Sequence, residues 1–221
     1  MRSTMIIGAG LATSVAFSAS AEITGVVVES YFVTAADFGG TTVSVYVQDM
    51  YAVGGSDDVL LNVYNMTLAG APSSFYQSTT GAGWTPTNLG GIFDNEATRN
   101  ADSFVTIGGF DATGEQVNGA GEGTGLDPNF GGNSAASPGT LAGWFNSNPP
   151  SLNGLLGDDG RVLMGRFSST EEFSLEGTTL EITYNQGLGT DPVQGAFTVT
   201  PAPGALALIG LAGIAGRRRR G

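Results

Sequence analysis

The run TTVSVYVQDMYAV at residues 41–53, then GGSDD at 54–58 and VLLNVYNMTL at 59–68, decides the fold class. Val43, Val45 and Val47 alternate with Ser44, Tyr46 and Gln48. Period two in β-branched residues marks a strand with one face toward a core. Gly and Asp favour a reversal between the two runs, so they are expected to pair as a hairpin.

The pattern continues outward. EITGVVVESYFV at 22–33 is rich in valine and aromatics, and further strands are expected at 103–110, 161–167, 178–184 and 194–200. No long stretch between them repeats at helical spacing, and glycines punctuate short segments throughout. The expected fold is all-β: a single β-sandwich of jelly-roll type over residues 22–200. Residues 111–143 hold Gly, Asn, Ser and Ala with few large apolar side chains, and are expected to form a long Gly-rich surface loop.

Both ends differ from this body. Arg2, the apolar run 5–17 and Ala19-Ser20-Ala21 have the layout of a signal peptide, a short helix cut after Ala21. At the other end stand Pro201, Pro203 and Gly204, an apolar stretch to residue 216, and Arg217, Arg218, Arg219 and Arg220. As a helix that stretch reaches ~20 Å, short of a hydrocarbon core ~30 Å thick. The arginines favour the cytoplasmic side. The tail therefore reads as a transient membrane hold that is later removed, with a weak retained anchor as the alternative.

Pro-x-Pro, a short apolar helix and a terminal Arg cluster resemble the PEP-CTERM sorting tail of bacteria. Ala202 stands where that family often has Glu, and PAPGALALIGLAG is similar to the variant found in planctomycete-type proteins. The resemblance covers the last 21 residues. It implies signal peptidase and an exosortase-type enzyme as processing partners, and a destination in the cell envelope or an extracellular polysaccharide layer.

Without its two end segments the chain keeps only Arg99, Arg161 and Arg166 against 20 acidic residues, a net charge of −17. That charge repels nucleic acid and anionic lipid, so neither is an expected partner of the body. There is no cysteine, so no disulfide supports the domain.

With no histidine, cysteine or lysine, the Ser-His-Asp, Cys-His and Schiff-base mechanisms are excluded. Only carboxylate chemistry remains, and no motif selects a pair of acids. No catalytic residue is assigned and the chain is read as a non-enzyme. Asp57-Asp58, Asp94-Asn95-Glu96 and Asp158-Asp159-Gly160 place oxygen ligands in loops, with Asp94, Glu96 and Asp158 the first candidates for Ca²⁺. None has EF-hand spacing, and the same residues serve as ordinary turn formers. Trp84 and Trp144, set beside Gly and Pro, are either platforms for stacking sugar rings or aromatic plugs in the core. Arg161 and Arg166 are expected to pair with Asp159 or Glu171, and Arg99 to tie down the 94–96 loop.

The function expected is structural or adhesive, in an extracellular polysaccharide layer. The alternatives are a carbohydrate-binding module and a carboxylate-dependent glycan-active enzyme.

Overall fold

The computed structural model describes residues 22–81, 83–86, 92–110 and 123–202. The segments expected to form a signal helix and a tail helix lie outside them. Strands dominate: β1 Gly25–Ala36, β2 Thr42–Val53, β3 Val59–Thr67, β4 Phe104–Val105, β5 Thr124–Leu126, β6 Ala142–Asn146, β7 Arg161–Ser169, β8 Thr179–Asn185, β9 Pro192–Thr198 and β10 Thr200–Pro201. One short helix, α1 (Glu96–Asn100), precedes β4. The strands form two five-stranded sheets, ordered β10-β1-β2-β7-β4 and β5-β6-β3-β8-β9.

The expected hairpin of β2 with β3 does not form. The two runs lie in different sheets, and β2 pairs with β1 in an unbroken register from Gly25↔Val53 to Ala36↔Thr42. The reversal sits at residues 37–41 instead. There the Asp37 and Thr41 backbones bond at 2.7 Å, and Gly39 and Gly40 take φ of 87° and 86°. Those left-handed angles suit glycine and make the tight turn. Residues 54–58 cross between sheets, with Gly54 N–H bonded to Gly160 O at 2.9 Å. A Cβ on Gly54 would lie 2.7 Å from the Ile23 Cα, so the crossing is too tight for a side chain.

Residues 111–143 are not one loop. Among them β5, a 3-10 turn at Pro128–Phe130 and the start of β6 are ordered. Asp127 caps that turn by accepting from Phe130 N–H at 3.0 Å. The β-rich reading of 103–110 shortens to the two residues of β4.

The main core draws on both sheets: Val26, Val28, Met50, Met164 and Phe167 from one, Leu60, Val63, Met66, Trp144, Leu180 and Ile182 from the other. The opposite face of the β1–β2–β7 sheet is covered too. Ala97 and Ala101, at α1, pack on Ala35, Val45 and Val47, while Phe104 and Phe110 pack on Tyr51 and Leu163. Hence β2 is buried on both faces over most of its length.

A bulge sets the faces of β7. Its register on β2 slips between Met50↔Gly165 and Tyr51↔Leu163, leaving Met164 as the extra residue. Met164 enters the core, and the strand is rephased on either side of it. Arg161 and Arg166 are five apart and would point to opposite faces of a regular strand. The bulge puts both on the outer face.

Candidate functional site

That outer face carries a buried, fully bonded ion pair. Arg166 and Asp49 sit opposite each other on β7 and β2, each 2% exposed. Arg166 Nε and Nη2 donate to Asp49 Oδ1 and Oδ2 at 2.8 and 2.9 Å, a bidentate pair. Tyr31 OH donates to Asp49 Oδ2 at 2.8 Å. Arg166 Nη1 donates to the Arg99 carbonyl of α1, and its guanidinium lies over the Phe104 ring, 5.6 Å from the centroid. Burial alone would lower the Arg166 pKa, but the Asp49 carboxylate outweighs it and holds the pKa above its ordinary value. Burial, and then the same carboxylate, push the Tyr31 phenol well above the usual range. The cluster is a fixed ion pair with a neutral tyrosine, joining β1, β2, β7 and α1.

Arg161, on the same face, donates to Glu29 Oε1 at 2.6 Å and lies 4.5 Å from the Tyr51 ring centroid. Neither arginine takes Asp159 or Glu171. Sequence-local partners were expected, whereas sheet register supplied Asp49 and Glu29, both far away in sequence. Arg99 does tie down its loop, through an ion pair with Asp94.

Two further carboxylates hold the β1–β2 turn and α1. Asp37 accepts from Phe38 N–H, Thr79 N–H, Thr79 Oγ1 and Tyr76 OH at 2.7 to 3.0 Å. Burial works upward on its pKa, but these donors outweigh it and set the pKa below the ordinary value. Asp102 is 2% exposed and accepts from Ser78 N–H at 2.7 Å. Burial pushes its pKa up to about 7. A carboxyl near neutrality is what proton transfer requires, yet this one is sealed. A Cβ on Gly81 would already lie 2.2 Å from its Oδ2, which leaves no room for a substrate.

The Ca²⁺ candidates do not gather at one point of the fold. Asp94 is engaged with Arg99, and Glu96 Oε2 accepts from Ala36 N–H at 2.9 Å. Asn95 between them caps α1, accepting from Thr98 N–H at 3.0 Å. Asp158 belongs to a separate turn closed by Gly160 N–H to Gly157 O at 3.0 Å. No group of three or more acids placed to hold a metal occurs among the described residues.

Trp84 and Trp144 are both 0% exposed, which overturns the stacking-platform reading of either ring. Trp84 packs edge-on against Phe75 and Phe130, with ring centroids at 5.3 and 5.4 Å, and its Nε1 donates to Ala135 O at 2.7 Å. Trp144 Nε1 donates to Thr106 O at 2.9 Å. Both indoles fill the core with their one donor satisfied.

Of the sorting residues, Pro201 is described. It lies in β10, paired in parallel with Val28, at an edge position that needs no N–H. Pro203, Gly204, Arg217, Arg218, Arg219 and Arg220 lie outside the described residues, as do Ala19 and Ala21. No helix among the described residues is long and apolar enough to cross a membrane. No family model, no curated protein and no solved structure matches this chain.

Proposed function

We propose that this chain is an exported protein of the cell envelope or extracellular matrix, with a structural or adhesive role in a polysaccharide layer. Its two sheets form a sandwich of jelly-roll type. This finer reading rests on connectivity: β2 to β3, β3 to β4, β4 to β5, β6 to β7, β7 to β8 and β9 to β10 all change sheet. The signal peptide directs export, signal peptidase cuts after Ala21, and an exosortase-type enzyme acts on the tail that holds the chain at the membrane.

The observation that carries the functional reading is how the body uses its polar side chains. All three of its arginines are bound to carboxylates of the same chain, and Asp37 and Asp102 tie loops to strands. These groups serve the scaffold, and what faces outward is an unbalanced acidic surface. Such a surface disperses in hydrated, saline gels rather than collapsing onto them.

The test is the location and intact mass of the protein in a host carrying the processing machinery, for the full chain and for one truncated after Ala202. Loss of envelope retention on truncation is the expected result. Identical localisation of both chains would remove the sorting role.

A further inference from the structure

We propose that removal of the signal peptide completes the fold: the α-ammonium created at Glu22 pairs with the buried carboxylate of Asp58. The inference rests on the proposed cleavage after Ala21.

Asp58 ends the crossing between the sheets. Its Oδ2 accepts from Gly55 N–H at 2.9 Å, and its own N–H donates to the Gly55 carbonyl at 3.2 Å. An aspartate that only forms a turn ordinarily stands in water. This one is 0% exposed, and its Oδ1 is buried with no hydrogen-bond partner among the described residues. An ionised carboxylate so placed calls for a cation. The three arginines of the body are bound to other acids, Asp94, Glu29 and Asp49. Burial, joined by the negative charges of Asp57 and Glu22 nearby, outweighs the Gly55 bond and raises the Asp58 pKa.

The start of the mature chain supplies the missing charge. Glu22 and Ile23 pass directly over Gly54. The Cβ that Gly54 lacks would lie 2.7 Å from the Glu22 carbonyl oxygen, 2.7 Å from the Ile23 Cα and 2.9 Å from Asp58 Oδ2. Glycine at 54 thus lets the backbone of residue 22 and the Asp58 carboxylate meet at one point. The Tyr184 phenol, raised first by burial, is raised further by both Glu22 and Asp58, which places all three groups together. The segment is held there: Ile23 is buried in the core, and Thr24 N–H donates to Val53 O at 2.8 Å. In the uncut chain the Glu22 nitrogen is a neutral amide. Cleavage makes it an ammonium with a pKa of about 8, charged at neutral pH. It also frees the nitrogen to turn about the Glu22 Cα–C bond. A short swing then brings it to Oδ1, in a charge-assisted bond that the precursor cannot make.

Because the chain has no lysine, this α-amine is the sole primary amine of the mature protein and can be followed by itself. Two chains are compared, one beginning at Glu22 and one at Ala19, each otherwise complete. The second carries its amine up to ~10 Å away. An amine-acylating reagent at pH 7 is expected to label the Glu22 chain about tenfold more slowly, the effect of raising the amine pKa by one unit. The same chain should melt at the higher temperature. Asp58→Asn keeps an acceptor for Gly55 N–H and should abolish both differences. Equal labelling and equal melting of the two chains would overturn the pairing. Differences that survive in Asp58→Asn would do so too, for another group would then hold the amine. N-terminal sequencing of the exported protein tests the cleavage separately: a first residue other than Glu22 removes that reading, and the proposal with it, whatever the two chains do.

Discussion

Asp102 and Asp37 give the protein opposite responses to acid. The pKa of Asp102 is raised in the fold, so the folded state favours its protonated form. Its contribution to stability is complete below its ordinary value of 3.8 and is lost as pH rises toward about 7. Asp37 is lowered, so its contribution holds above 3.8 and is lost as acid titrates it in the fold. We predict that Asp102→Asn, which keeps an oxygen for Ser78 N–H, raises the melting temperature at pH 8 and leaves it nearly unchanged at pH 4. Thermal scans across that range check it, and a parallel shift at both pH values would refute the assignment. The buried tryptophans give a second expectation. Trp84→Ala should cost about 3–5 kcal/mol in urea unfolding. Native fluorescence should resist quenching by soluble glycans and iodide alike, because neither indole is accessible.

Among the elements, β7 shows best what could be read in the sequence and what could not. Strands are expected at 161–167 and 178–184, and period-two alternation marks β2. Local patterns carry that information, because a half-buried strand must alternate wherever it pairs. Pairing itself is non-local. The Gly-rich segment 54–58 and the DFGG reversal at 37–40 have equal turn chemistry, and only packing on both faces of β2 decides that the second makes the hairpin. The Met164 bulge was likewise invisible, although it determines that Arg161 and Arg166 share a face and find Glu29 and Asp49. The tryptophans and the Ca²⁺ candidates were legible as residue types, but their burial and their pairing with Arg99 and Ala36 come from tertiary structure. Arg166→Ala, which strands Asp49 unpaired, is expected to lose about 3–5 kcal/mol, while the double replacement Arg166→Met with Asp49→Leu should recover most of it. Gly165→Ala is expected to cost about 1–3 kcal/mol, since its methyl would sit 2.9 Å from the Phe104 carbonyl. Denaturant midpoints measure both.

For the whole molecule, charge is the dominant property. The three arginines of the body are already paired, so added salt has few attractions there to weaken and much repulsion to screen. At 1 M the screening length is ~3 Å. Unfolding midpoints in urea should therefore rise steadily from low salt to 1 M sodium chloride. A falling midpoint would mean that the ion pairs, and not the acidic surface, govern stability.

The parallel contact of β10 with β1 also determines how the domain bears force. The chain enters the sheet at Gly25 and leaves it at Pro201, with Val27 beside Thr200. Traction between the two ends pulls these neighbouring strands past one another along their length. The bond from Ala202 to Val28 and the seat of Val199 in the core are then loaded together rather than peeled in turn. Were the chain held by its tail, as proposed, and pulled from its other end, the domain would meet the load in shear, the direction in which a strand ladder resists most.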